Sequence, residues 1–180
     1  CTVSKHRAER KGYADAMMLD WEGRIAECTG ANIFFVKDGK IHTPIADCFL
    51  DGITRQTVIG LARKRGLEVI ERRIMPDELT SFSECFITGS AAEVIPVVKI
   101  DSRPIGDGKV GPITLRLIAA FKQLVHGHAK IHEPNNLTTD LSNMGSMPFI
   151  IAIIVFCLDR THGYAQPPAE QTDLKSEQDS

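Results

Sequence analysis

The sequence predicts an α/β domain built on a mixed, curved sheet (a pseudo-barrel) with crossover helices. Several short apolar runs are bounded by turn residues, which is typical of strands. Asp38-Gly39 lies between two of these runs and predicts a tight antiparallel hairpin. Segments 53–65 and 112–125 carry apolar residues at helical spacing and predict amphipathic helices. Because hairpins and crossover helices alternate, we expect antiparallel and parallel strand pairs in one sheet.

Each element is predicted from local signals. The first segment is charged and helical in propensity, and Gly12 follows it as a stop signal. Gly66 ends the next helix in the same way, and Pro76 suits the first turn of a short helix. The predicted helices are 3–11, 53–65, 76–79 and 112–125. The predicted strands, rich in β-branched and aromatic residues, are 14–20, 24–28, 32–36, 40–43, 68–74, 84–88 and 93–100.

Composition excludes several classes of function. The net charge of −2 gives no basic surface for nucleic acid. The five cysteines are scattered without a C-x-x-C pair, which indicates reduced thiols in a cytoplasmic protein and neither a metal site nor a disulfide framework. The chain opens on Cys1, and the predicted helix 3–11 that follows has too little apolar surface to be a whole element, so we expect the chain to be a piece of a longer protein.

The character of the chain changes after its last predicted helix. We expect a domain at 1–126, a polar linker at 127–146, an apolar segment at 147–158 and a disordered tail at 159–180. The apolar segment is shorter than the roughly 20 residues that span a bilayer, so it should be a buried strand or an interfacial segment. We expect it outside the domain core, with no strand position left vacant there.

Three short features of the domain could form one site. Glu27 ends a predicted strand; it could be a surface carboxylate, or a buried one that keeps a ring nitrogen protonated. Gly52-Ile53-Thr54 opens a helix, either as a plain helix start or as a phosphate site made of free N–H groups. Ser90, in the turn 89–92, could help to hold an oxyanion, or the turn could only connect two strands.

The stretch 27–55 resembles the signature of the class IV (fold type IV) pyridoxal-phosphate aminotransferases. The signature begins with six residues in order: an acid, a small residue, an amide, an aliphatic residue, an aromatic residue and a hydroxyl residue. It ends with the pattern aliphatic-x-Gly-aliphatic-x-basic. Its places are filled by Glu27, Thr29, Asn32, Ile33, Phe34, Thr43, Leu50, Gly52, Ile53 and Arg55. The likeness continues through 86–97 and covers about residues 4–125. It is most similar to branched-chain amino-acid aminotransferases, and it implies the larger, C-terminal domain of that fold followed by an unrelated tail.

The resemblance implies how pyridoxal 5′-phosphate would be held. Glu27 would pair with the pyridine nitrogen, which makes the ring an electron sink. Leu50 would pack on the ring. The backbone N–H groups of Ile53 and Thr54, with the hydroxyl of Ser90, would bind the phosphate. The family usually has threonine in place of Ser90, and serine keeps the hydroxyl.

The resemblance also implies the substrate contacts and the limits of the chain. The N–H groups of Ser90 and Ala91 would meet the substrate carboxylate. The family's Schiff-base lysine lies upstream of the segment matching 11–13, on a strand that this chain lacks, and Lys5 falls inside the helix match. We therefore assign no catalytic residue, and we expect the chain alone to be inactive on leucine.

The implied function is transfer of an amino group between valine, leucine or isoleucine and 2-oxoglutarate, by a parent enzyme that is a homodimer or higher oligomer. Two alternatives stay open within the family: a protein like aminodeoxychorismate lyase or one like D-amino-acid aminotransferase. A third is a non-enzymatic remnant whose tail associates with a membrane or a partner. No metal is expected.

Overall fold

The structure is a computed structural model that describes residues 1–90, 93–126 and 151–156. Its helices are α1 (Thr2–Arg10), α2 (Ile53–Lys64) and α3 (Pro112–His126), with a 3-10 helix at Pro76–Ser81. Its strands are β1 (Asp15–Leu19), β2 (Ile25–Cys28), β3 (Asn32–Lys37), β4 (Lys40–Pro44), β5 (Val69–Arg72), β6 (Glu84–Gly89), β7 (Glu93–Ile100), β8 (Arg103–Pro104) and β9 (Ile151–Phe156).

The strands of the described residues form one mixed sheet in the order β2-β1-β9-β7-β6-β3-β4-β5, with β8 paired to β7. Antiparallel pairing joins β1 to β2, β3 to β4, β3 to β6 and β6 to β7. Parallel pairing joins β4 to β5, with α2 as the crossover between them. The predicted mixed α/β sheet is confirmed.

The hairpin between β3 and β4 is confirmed in its turn geometry. Asp38 and Gly39 have positive φ angles of 52° and 73°. Two consecutive left-handed residues match the right-handed twist of the flanking strands, and a flexible residue such as Gly39 adopts this conformation readily. The turn thus fixes the register in which Lys37 lies opposite Lys40.

The two faces of β3 serve different parts of the core, as the period of two requires. On one face Phe34 stacks on Phe86 of β6 with ring centroids 4.9 Å apart. This face packs against buried residues of α2 and α3, including Val58 and Leu117. On the other face Phe35 belongs to a second buried cluster that the two long helices do not share. Helix α2 is therefore fixed above the Phe34 face.

The segment 151–156 departs from the sequence expectation. As β9 it lies between β1 and β7, with Ile153 in parallel register opposite Asp15 of β1 and Ile100 of β7. Residues 151–156 of the apolar run form a strand. Because they fill a position between β1 and β7, the expectation that no strand position is vacant is wrong. A gap between two strands distant in sequence depends on tertiary structure and leaves no local signal. The predicted linker at 127–146 and the predicted tail at 159–180 lie outside the described residues, as do the ends of the apolar segment at 147–150 and 157–158.

Smaller differences concern the region after α2. Strand β5 is shorter than the predicted 68–74, and the predicted helix 76–79 is a 3-10 helix that continues to Ser81. The Glu78 carboxylate accepts hydrogen bonds from the guanidinium of Arg72 and from the backbone N–H of Met75. These bonds turn the chain out of the sheet directly after β5. In the part of the chain that the structure describes, no helix is long and apolar enough to cross a bilayer.

Candidate functional site

Helix α2 begins at Ile53 with an uncapped amino terminus. Gly52, in the cap position, has an extended backbone (φ −64°, ψ 146°), and no side chain in the described part of the chain caps the helix there. The first backbone N–H groups of a helix have no partner within the helix. They lie at the positive end of the helix dipole, where anions are stabilised. The helix start thus has the donors and the field that a phosphate group requires.

Asn32 connects this helix start to the neighbouring strand end. Its Nδ2 donates a hydrogen bond to the carbonyl oxygen of Leu50 at 2.8 Å. A Cβ added to Gly52 would lie 2.6 Å from Asn32 Oδ1, so the loop passes too close for any side chain there. In the sheet Asn32 lies opposite Thr88 of β6. Thr88 precedes Ser90 by two residues in the sequence. The loop, the start of α2 and the end of β6 therefore meet at Asn32.

Two large aliphatic side chains at this junction face solvent. Leu50 is 83% exposed and Ile53 is 85% exposed. Ser90, in the turn after β6, is also exposed, whereas Thr54 in the first turn of α2 is buried. Isolated exposed aliphatic residues are ordinary, but these two flank an uncapped helix start. They form an apolar rim that a flat ring or a second polypeptide surface could cover.

Arg55 fixes the loop that carries this rim. Its side chain is fully buried, and its guanidinium donates to Asp51 Oδ1 at 2.6 Å, Glu71 Oε2 at 2.9 Å and the carbonyl oxygen of Pro44 at 3.0 Å. The network joins α2 to both ends of loop 45–52 and to β5. Hydrogen bonds from Gln56 and Arg55 hold the pKa of Asp51 below its ordinary value. The charge on Asp51 is thereby maintained beside the helix start.

Glu27 lies near the end of β2, half-buried, directly before the isolated bridge between Cys28 and Ala31 that leads into β3. Burial raises its pKa above the ordinary value of 4.5, and the amino terminus of the chain opposes this in part. A carboxylate with this property gains from a cationic partner. That Glu27 shares one pocket with Ser90 and the start of α2 stays a prediction. Ala91 lies outside the described residues.

A separate cavity of about 640 Å³ opens beside α1. Its lining residues are Cys1, Thr2, Lys5, Glu9, Ala14, Asp15, Thr29, Gly30, Ala31, Ile87 and Ile95. Lys5 Nζ donates to the carbonyl oxygen of Ala14 at 2.8 Å, and the Thr29 hydroxyl donates to Asp15. None of the predicted site residues that the structure describes lines this cavity. Among the described residues, no group of histidine, cysteine or acidic side chains could hold a metal ion.

Sequence reasoning missed the residues that hold the site together. Asn32 and Arg55 both occupy signature positions, yet neither was assigned a role. Their place in the signature was the available signal. The residue types alone do not show that Asn32 connects the loop to the sheet or that Arg55 is buried. Thr88 carried no signal, because hydrogen-bond satisfaction cannot be predicted from a single position.

Comparison with known proteins identifies the family. A family model described as class IV amino-transferase matches residues 1–100. A branched-chain-amino-acid aminotransferase from Pseudomonas aeruginosa is 47% identical over 121 residues, which cover 67% of this chain and 39% of that protein. A probable branched-chain-amino-acid aminotransferase from Rickettsia bellii is 55% identical over 108 residues, 60% of this chain and 36% of that protein.

Solved structures agree. The branched-chain amino acid aminotransferase from Escherichia coli is 40% identical with a TM-score of 0.66, covering 68% of this chain and 42% of that one. The enzyme from Thermobaculum terrenum in its PLP form is 41% identical with a TM-score of 0.67, covering 70% and 42%. The chain thus spans less than half the length of the relatives it matches. The match over its first 100 residues shows that the chain belongs to the class IV aminotransferase family.

Proposed function

We propose that this chain is the cofactor-binding part of a branched-chain amino-acid aminotransferase that uses pyridoxal 5′-phosphate. The observation that carries the proposal is the uncapped start of α2, joined by Asn32 to the end of β6. The matched relatives are named as branched-chain aminotransferases, and one similar structure is complexed with N-(5′-phosphopyridoxyl)-L-glutamate. The substrates would be valine, leucine or isoleucine with 2-oxoglutarate, and the complete enzyme would be an oligomer.

The described residues fit this cofactor. The N–H groups of Ile53 and Thr54 supply anion donors without a competing side-chain cap. The exposed side chain of Leu50 supplies an apolar surface of the kind that a pyridine ring covers. Glu27 is half-buried, and burial raises its pKa, which the positive charge of the amino terminus offsets only in part. A protonated ring nitrogen would supply a further positive charge.

Each residue would have a distinct task. The bound cofactor supplies an electron-poor ring that stabilises negative charge at the carbon from which the amino group is transferred. Glu27 would hold a proton on the ring nitrogen. The start of α2 and Ser90 would hold the phosphate, and the N–H groups of Ser90 and Ala91 would orient the substrate carboxylate. Arg55 would keep loop 45–52, and with it Leu50, in position.

The proposal is tested by binding of pyridoxamine 5′-phosphate. This compound has no aldehyde, so it reports the non-covalent site without modifying lysines at random. We expect saturable one-to-one binding in calorimetry, and weaker binding of pyridoxamine, which lacks the phosphate. A chain that binds neither compound at millimolar concentrations would contradict the proposal.

We further propose that the protein works in the cytoplasm. The described cysteines Cys1, Cys28, Cys48 and Cys85 are all free, as is expected in a reducing compartment. Fractionation of cells that express the chain, with detection by antibody, would check this. Recovery of the chain in a secreted fraction would contradict it.

A further inference from the structure

Thr88, near the end of β6, has a buried hydroxyl group that none of the described residues partners. The residue is fully buried, and its Oγ1 has no hydrogen-bond partner among the described residues. Burying an unpaired hydroxyl is unfavourable, so native structures rarely keep one without a reason. Two other buried threonines are satisfied: Thr43 donates to the carbonyl oxygen of Ile33 at 2.8 Å, and Thr114 donates to Glu84 at 2.6 Å.

The register of the sheet shows which way Thr88 faces. It lies directly opposite Asn32, and two residues further along these strands Phe34 lies opposite Phe86. Residues directly opposite on neighbouring strands have side chains on the same face. Phe34 and Phe86 stack on each other and pack under α2 with Val58. Thr88 therefore lies on the face that α2 covers.

Along that face, Thr88 lies at the end where α2 begins. Asn32, its neighbour across the strands, reaches the Leu50 carbonyl and closely approaches Gly52, the residue before the first turn. Helix α2 also packs against β6 itself. An unpaired hydroxyl and an uncapped helix start are two independent observations. The Thr88 hydroxyl and the first backbone N–H groups of α2 are both donors that need an acceptor where β6 ends and α2 begins.

We propose that the Thr88 hydroxyl is a further ligand of the phosphate group bound at the start of α2, in addition to the backbone N–H groups and Ser90. The inference rests on the proposed function, because it names a residue of the same site. A threonine hydroxyl can donate one hydrogen bond, and its hydrogen rotates to suit the acceptor. A phosphate oxygen would satisfy the donor that folding leaves unpaired.

If Thr88 has this role, removing its hydroxyl should lower the affinity for the phosphate compound without lowering the stability of the free protein. Thr88→Val replaces the hydroxyl with a methyl group of similar shape and removes an unsatisfied buried donor. The melting temperature of the free protein should therefore stay the same or rise. Affinity for pyridoxamine 5′-phosphate should fall roughly tenfold, which corresponds to about 1.4 kcal/mol. Thr88→Ser keeps the hydroxyl and should retain the affinity.

Thr114→Val is the matched control. Thr114 is equally buried, but its hydroxyl is bonded to Glu84 at the start of α3. This variant should lower the melting temperature and leave affinity unchanged. The pattern expected of the Thr88 variant is thus the reverse of that expected of the Thr114 variant. A residue that only supports the fold would not produce this reversal.

Every outcome decides the inference. Unchanged affinity of Thr88→Val, or failure of that variant to fold, contradicts it, because an unpaired hydroxyl should not be needed for folding. Inorganic phosphate separates it from the proposed function. If phosphate binds in a Thr88-dependent manner while pyridoxamine 5′-phosphate binds no better than phosphate, the cofactor proposal fails and the role of Thr88 stands. If pyridoxamine 5′-phosphate binds equally to wild type and Thr88→Val, the proposed role of Thr88 fails and the cofactor proposal stands.

Discussion

At the scale of single residues, Glu27 is a carboxylate whose burial is unfavourable in the free protein. Burial raises its pKa above the ordinary value of 4.5, so the folded state holds the proton more tightly than the unfolded state. Its contribution to stability is therefore present below pH 4.5 and is lost as the pH rises through the folded-state pKa. A ligand that brings a cation to Glu27 should remove this loss.

Glu27→Gln should show both the effect of Glu27 on the pH dependence of stability and its effect on ligand binding. Without the ionisable group, the free energy of unfolding should fall less between pH 4.5 and neutrality, and stability at neutral pH should be equal to wild type or higher. Affinity for pyridoxamine 5′-phosphate should fall about tenfold, or about 1.4 kcal/mol. Urea titrations over a pH series and calorimetry measure the two quantities. Glu68→Gln, at an exposed carboxylate, should change neither; an unaltered affinity of Glu27→Gln would remove Glu27 from the site.

Arg55 is a second residue whose effect can be isolated. Arg55→Met removes a buried guanidinium with three oxygen partners and leaves the buried Pro44 carbonyl oxygen without this donor. Hydrogen bonds to charged groups contribute about 1.5–3 kcal/mol each, but the two carboxylates are partly exposed and can be hydrated again. We expect a net loss of about 2–3 kcal/mol of unfolding free energy in urea.

Arg63→Met is the control for Arg55. Arg63 reaches the same carboxylate, Glu71, at 3.5 Å, but its side chain is exposed. Exposed ion pairs are worth about 0–1 kcal/mol, so the variant should be close to wild type. Equal losses in the two variants would show that burial of Arg55 does not matter. Both cations contact Glu71, but only Arg55 is buried and also bonded to Asp51 and the Pro44 carbonyl oxygen.

At the scale of elements, the start of α3 is capped by a residue distant in sequence. Glu84 of β6 is buried and accepts hydrogen bonds from the backbone N–H groups of Ile113 and Thr114, at 3.1 and 2.7 Å. This places a carboxylate at the positive end of the helix dipole. Gly111 makes the approach possible, because a Cβ there would lie 2.0 Å from Glu84 Cδ.

Two glycine-to-alanine substitutions should therefore have opposite effects. Gly111→Ala should displace Glu84 and remove the cap, a loss of about 0.5–2 kcal/mol for the cap alone. Gly60→Ala lies inside α2, where an added Cβ meets no atom within 4 Å. It should stabilise the protein by about 0.5–1 kcal/mol through helix propensity. Thermal melts of both variants measure this, and a stabilising Gly111→Ala would refute the cap.

These elements also show what a sequence can and cannot predict. Asp38-Gly39 and the helix after Gly52 were predicted because turn conformation and helix start are set by neighbouring residues. The capping of α3 by Glu84, the burial of Arg55 and the unpaired hydroxyl of Thr88 were not. Each depends on which segments of the sheet lie side by side. The signature showed that Asn32 matters, but only the register with β6 shows why.

At the scale of the whole molecule, β9 joins the two parts of the sheet. Without it, β1 and β2 would lose their hydrogen-bonded connection to β7, since β9 lies between β1 and β7. Both neighbours run parallel to β9. Parallel strands inside a sheet present N–H and C=O groups on both edges. Removing β9 would leave those groups of β1 and β7 without partners.

Ile153→Pro should therefore destabilise the entire domain. Residue 153 lies opposite Asp15 on one side and Ile100 on the other, so a proline there removes a donor in the middle of the sheet. An unsatisfied buried group costs about 1–3 kcal/mol, and we expect a loss of this size with faster hydrogen exchange in β1 and β7. Gln171→Pro, in the tail that the sequence predicts to be disordered, should change neither. If Ile153→Pro matched Gln171→Pro in both measurements, the original expectation that the apolar segment lies outside the core would be restored.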